Sequence, residues 1–292
     1  MLDEMFQNTD DLSKLIICIP TYKRKWPAIL SVIRANQDLT FNMFVREDDY
    51  NAGYYDDEQF RIDNLKFVTL SNVSCIGTTR EAILQYAISN GYKYCFMIDD
   101  TQYGIHDLTN AMKNLSSILK TCIRRFETDK CNNVAVAFNF SRKAFTDANG
   151  IIETYFISQL CQTYILNCDI CKKYDMHFKP MNEVGIEDLD FYIESASKGL
   201  VVLSDTRFIR IGEHPSVKRE GGCHYNMEGK TERDTQNIRA DKLADYIMTN
   251  DNIIDKNFLQ KVNSILYPGT YYYKFNTKYA KKKLLNLDDG ID

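Results

Sequence analysis

Five apolar residues, Tyr94–Ile98 (YCFMI), run straight into two carboxylates, Asp99 and Asp100. An uninterrupted apolar run of that length suits a strand buried on both faces, as in a parallel α/β sheet. Its abrupt polar end then falls at the carboxyl edge of the sheet, where open α/β sheets bind ligands. Two adjacent carboxylates there repel each other, and a metal ion or the hydroxyls of a ribose would relieve the repulsion. An Asp pair also serves as a helix cap or a turn, so the pair alone does not decide between structure and chemistry.

The same pattern recurs upstream. Residues 15–19 (LIICI) form a strand-like run stopped by Pro20, and 41–45 and 67–70 read as further strands. Residues 26–35 and 78–89 carry apolar side chains at helical spacing, the second stopped by Gly91. Strands alternating with helices at this interval predict βαβ units. Beyond residue 100 the pattern is mixed. A helix is expected over 105–126, strands over 134–140 and 151–157, a helix over 186–197, a strand over 200–204 and helix over 238–265. Pro268-Gly269 breaks a Tyr- and Lys-rich tail. The predicted fold is α/β, with a mostly parallel central sheet flanked by helices and a helical C-terminal extension. Residues 1–228 would form the catalytic domain, its donor half about 12–103 and its acceptor half about 104–228, with 229–292 as the extension.

Polar groups collect at the predicted strand ends. Pro20, Thr21, Tyr22, Lys23 and Arg24 follow the first strand. Glu47, Asp48 and Asp49 follow the second, where an acid can accept hydrogen bonds from a nucleoside base or ribose. Gly77-Thr78-Thr79-Arg80 opens a helix, and Arg80 is placed to pair with a diphosphate. A second acidic centre, Glu187-Asp188-Leu189-Asp190, opens the helix predicted at 186–197. Acids there either complement the helix dipole or supply a general base.

Composition narrows the partners. The net charge of −4 excludes a protein that coats nucleic acid with an overall basic surface. Nucleic acid contact would have to come from local patches: Arg124-Arg125, Lys172-Lys173, Lys218-Arg219 and Lys281 to Lys283. The tail interleaves Tyr271, Tyr272 and Tyr273 with lysines, a pattern that stacks bases and pairs phosphates, or else simply a Tyr-rich strand beside an exposed Lys helix. Nine cysteines, no secretory signal and no apolar run near ~20 residues point to a soluble cytoplasmic protein with free thiols. Cys168 and Cys171, with Cys161 and His177 nearby, lack the paired spacing of a structural zinc site and read as buried thiols.

The runs IICIPTYKR, CIGTTREAILQYA and YKYCFMIDDT resemble the donor half of GT-A glycosyltransferases. In detail they resemble the TET/JBP-associated glycosyltransferases of phages, over roughly residues 15–225 and most specifically over 75–100. The resemblance implies a nucleotide-sugar donor such as a UDP-sugar, a Mn²⁺ or Mg²⁺ ion, and double-stranded modified DNA as acceptor. The accepting hydroxyl would belong to hydroxymethylcytosine or to a glucoside on it. It implies donor contacts from Pro20, Thr21, Tyr22, Arg24, Glu47, Arg80, Asp99 and Lys218, with Lys218 or Arg219 neutralising the departing diphosphate. It implies metal ligation by Asp100 and by the late His224, which follows Gly221-Gly222-Cys223. The family's acidic triplet here reads Asp99-Asp100-Thr101, so its third carboxylate is missing and the metal would depend on Asp100. In an inverting enzyme Asp188 is the expected base, with Glu187 next; in a retaining one these acids would bind acceptor hydroxyls. Three other readings stand beside this one: transfer to polysaccharide, lipid or protein; a non-catalytic nucleotide-binding module; and a nucleotidyltransferase. Against the last counts the lack of a Gly-rich signature after the first strand.

Overall fold

The chain is described here from a computed structural model, covering residues 12–108, 114–128, 134–141, 154–155, 160, 162–180, 187–212, 241, 245, 255–263 and 271–285. Period-2 burial builds the centre. In β1 (Leu15–Pro20), Ile16 and Cys18 face one core cluster, while Leu15, Ile17 and Ile19 face another. The strand is apolar throughout because both of its faces are covered.

Strands β2 (Phe41–Arg46), β3 (Leu65–Leu70) and β4 (Tyr94–Ile98) extend this core in parallel, in the order β3-β2-β1-β4. The sheet has nine strands and continues β8-β6-β9-β5. These are β5 (Gln102–Asp107), β6 (Ala135–Ser141), β8 (Thr163–Asn167) and β9 (Val201–Gly212), with β7 (Thr154–Tyr155) pairing β9. Strand β8 is antiparallel to both β4 and β6, so β6 and β9 run the same way as β1–β4. Strands β5, β7 and β8 run the other way. The sheet is therefore mostly parallel, and the carboxyl ends of β1, β2, β4 and β9 share one edge.

Helices α1 (Leu30–Ala35), α2 (Glu47–Asn51), α3 (Ile76–Ser89), α4 (Leu115–Thr128), α5 (Cys168–Lys173) and α6 (Glu187–Ser197) connect the strands. Helix α3 starts where Cys75 Sγ accepts from the Thr78 N–H while Thr78 Oγ1 accepts from the Cys75 N–H. This reciprocal cap fixes the turn that precedes Arg80. No described helix is long and apolar enough to cross a membrane.

Two expected helices need correction. The span 105–126 splits into β5 and α4, with Gly104 at φ +140° inside β5. In the span 238–265, residues 241 and 245 are helical, but Lys256–Phe258 is a 3₁₀ turn and Leu259–Asn263 is strand β10. Strand β10 pairs antiparallel with β11 (Tyr271–Phe275), and α7 (Thr277–Leu285) follows as the helix of the extension. Phe258 and Ala280 are buried in the core, and Tyr279 donates to Asp255 Oδ2 at 2.6 Å. The extension is thus packed against the sheet domain.

Candidate active site

The segment after β1 is held over the end of β4. Thr21 Oγ1 donates to Asp100 Oδ2 at 2.6 Å, and Arg24 Nε lies 2.9 Å from Asp100 Oδ1. Burial pushes the Asp100 carboxyl up to about 6, against the opposing pull of Arg24 and Thr21. Asp100, expected as a metal ligand, is thus held by Thr21 and Arg24, one partner on each oxygen. Among the described residues no group of three or more His, Cys, Asp or Glu side chains could hold a metal ion. Lys218 and His224 lie outside the described residues.

Tyr22 stands beside this segment, its ring 3.9 Å from the Arg46 guanidinium. Such a cation–aromatic stack forms a flat polar wall. Glu47 sits at the rim, where Ser71 Oγ donates to its Oε2 at 2.6 Å. The buried acid of that turn is Asp49, 3.6 Å from Lys23 Nζ and with Oδ2 unpartnered among the described residues. The short helix α2 turns Asp49 inward and leaves Glu47, the acid expected at the nucleoside, at the rim; adjacent acids carry no signal of which one is buried.

Arg80 joins the two acidic centres. It is 3% exposed. Its Nη2 donates to Asp99 Oδ1 at 3.0 Å, and its Nη1 donates to Glu187 Oε1 at 2.5 Å. Asp188 Oδ2 lies 3.9 Å from Nη1, and the Tyr164 ring lies 5.7 Å from the guanidinium. With three carboxylates around it, Arg80, expected at a diphosphate, is the internal counter-ion of these acids. The end of β4 and the start of α6 are thereby fixed to one side chain.

Asp188 differs from Glu187. Glu187 is buried and committed to Arg80, whereas 21% of the Asp188 side chain is open to solvent. Burial, then the Glu187 charge and the Asp99 charge push the Asp188 carboxyl up to about 7, while Arg80 pulls it down. An open carboxylate titrating near neutrality can take a proton from a bound hydroxyl. The Leu189 N–H donates to its Oδ1 at 3.0 Å and orients it.

Gly77 makes this junction possible. A Cβ there would overlap the carbonyl oxygen of Lys179 and press on Glu187 Cβ at 3.4 Å. Gly77→Ala is expected to lower stability by about 1–3 kcal/mol through overpacking and to displace Glu187 from Arg80. Chemical denaturation with a transfer assay checks this; a variant with unchanged stability and rate would show that the packing is not required. The segment 174–180 that Gly77 receives is also pinned by His177, whose ring nitrogens lie 2.8 Å from Glu81 Oε1 and 2.9 Å from Asp175 Oδ1.

The match to known families follows this geometry. Residues 18–221, more than two thirds of the chain, match the family described as TET-Associated Glycosyltransferase. The chain belongs to the TET-associated glycosyltransferase family. No curated protein is similar enough to be matched to it. The matched span holds every element around Arg80: the end of β1, the start of α3, the end of β4 and the start of α6. Cys168 and Cys171 are free thiols buried on α5.

Proposed function

We propose that this glycosyltransferase moves a sugar from a nucleotide sugar, such as a UDP-sugar, to a hydroxyl on modified DNA. The acceptor would be hydroxymethylcytosine or a glucoside already attached to it. The observation that carries the reading is Arg80, which joins the acid at the end of β4 to the acids that open α6. A donor at the strand ends and an acceptor hydroxyl beside Asp188 would meet across that one side chain.

The chemistry is a single displacement with inversion. The acceptor oxygen attacks the anomeric carbon as the bond to the diphosphate oxygen breaks. The bonding pair leaves on the diphosphate, and Asp188 accepts the hydroxyl proton. Glu187, held by Arg80, keeps the Asp188 carboxyl high enough to be an effective base near neutral pH. Thr21 and Arg24, anchored to Asp100, and Tyr22, stacked with Arg46, form the wall against which the nucleoside would rest. The DNA acceptor is supported by the family's description as TET-associated and by exposed lysines of α7 such as Lys278, Lys282 and Lys283.

The test incubates the protein and a divalent cation with a panel of UDP-sugars and either hydroxymethylcytosine DNA or its glucosylated form. Nucleosides are then weighed by mass spectrometry. A hexose or pentose gain on one substrate is the expected result and identifies the acceptor. UDP release without gain on either DNA would move the acceptor to a glycan, lipid or protein.

A further inference from the structure

Three arginines of the described chain are buried: Arg24, Arg80 and Arg210. Arg24 is paired with Asp100, and Arg80 with Asp99 and Glu187. Arg210, near the carboxyl end of β9, is 5% exposed and has no carboxylate within ion-pair distance among the described residues. Its Nη1 donates to Gln162 Oε1 at 2.7 Å and to Gln102 Oε1 at 3.3 Å. Both acceptors are neutral amides, and its buried Nε, like those of Arg24 and Arg80, has no hydrogen-bond partner among the described residues. A buried cation with no counter-charge among the described residues is unfavourable as it stands, and an anion from outside the protein would complete it.

The surroundings tie Arg210 to the end of β4. The Asp99 N–H donates to the Gln162 carbonyl at 3.1 Å, and the Gln102 N–H donates to the Asp99 carbonyl at 3.1 Å. Both glutamines are thus tied to the residue that ends β4. Gln102 Nε2 donates to Thr101 Oγ1 at 3.1 Å, which turns the amide oxygen toward Arg210. At Gly212 a Cβ would come within 2.8 Å of that oxygen, so glycine keeps the seat open. Thr101 and Gln162 are half-buried, and the cluster reaches the surface through them.

We propose that Arg210, seated by Gln102 and Gln162, binds a phosphate of the donor diphosphate. The assignment rests on the nucleotide-sugar reading above. As the anomeric C–O bond breaks, its electron pair leaves on the diphosphate oxygen, and a fixed guanidinium beside that phosphate stabilises the gathering charge. A glutamate at either glutamine position would neutralise Arg210 internally and remove its use.

That substitution is the test. Inorganic pyrophosphate is titrated calorimetrically into the wild-type chain, Arg210→Met and Gln162→Glu. Both variants are expected to bind it roughly 10- to 100-fold more weakly. Gln162→Glu gives the cation an internal partner, so its thermal melt should stay at or above that of the wild type and binding loss cannot be blamed on unfolding. Equal pyrophosphate affinity in Gln162→Glu, or no binding by the wild type, would overturn the proposal. Loss of duplex DNA affinity in the variants, with pyrophosphate affinity intact, would assign the phosphate to a DNA strand and overturn the donor assignment. A wild-type chain that binds pyrophosphate through Arg210 yet turns over no nucleotide sugar would sink the proposed reaction and keep the phosphate site.

Discussion

Asp188→Asn is expected to slow sugar transfer by about 10²- to 10⁴-fold, the range for losing a positioned general base. Asparagine keeps the shape, still accepts the Leu189 N–H, and cannot take a proton. Donor binding, which involves other residues, should stay near the wild-type value, so the loss belongs in kcat and not in KM. The pH profile gives an independent check. The folded carboxyl is pushed up to about 7, and only its ionised form is a base. Activity of the wild type should therefore fall as pH drops through about 7 and level off above it. In Asp188→Asn that limb should vanish along with most of the rate. Full activity in this variant would remove Asp188 from the chemistry and favour a retaining route. Glu187→Gln separates the two acids. Its side chain serves Arg80, so its loss should cost stability more than it costs the chemical step.

The first four strands were legible because each is an apolar run that ends in polar residues. Apolar runs such as 15–19 and 94–98 fix their own strands, and a parallel sheet then carries Thr21, Arg24, Asp99 and Asp100 to one edge. Partners across the sequence were not legible. Arg80 and Glu187 are 107 positions apart, and nothing local in either shows that this guanidinium holds the acids of α6. Strand β5 was lost because a helical pattern was extended back over it. The signal against that extension was local: Gly104 lies inside β5, and Asn114 Oδ1 accepts from the Ser117 N–H at 2.9 Å to start α4 where it does. The same cap was missed at Asn167, which closes β8 and opens α5 by accepting from the Ile170 N–H. Arg210 was not legible either: β9 also carries Ser204, Asp205, Thr206 and Arg207, and nothing in that mixed run marks which charged side chain is buried.

Arg80→Met tests the junction itself. Methionine fills much of the arginine's volume but leaves Glu187 buried without its cation. Removing one partner of a buried pair costs about 3–5 kcal/mol, and Arg80 serves more than one acid, so the expected loss lies at the upper end of that range. Arg80→Lys should recover only part of it, since one ammonium cannot reproduce the two separate guanidinium contacts to Asp99 and Glu187. Adding Glu187→Gln to Arg80→Met removes the orphaned charge and should restore a substantial share of the stability, which a double-mutant cycle by urea denaturation measures. Catalysis supplies a second readout that plain destabilisation would not move. Arg80 pulls the Asp188 carboxyl down, so without it that carboxyl rises further and the active limb of the pH profile shifts to higher pH. Arg80→Met protein that remains folded should thus regain part of its rate in alkaline buffer. Stability and pH profile both unchanged would mean that the two acidic centres do not depend on Arg80. A stability loss with an unmoved profile would confine Arg80 to the fold and leave the tuning of Asp188 to burial and Glu187.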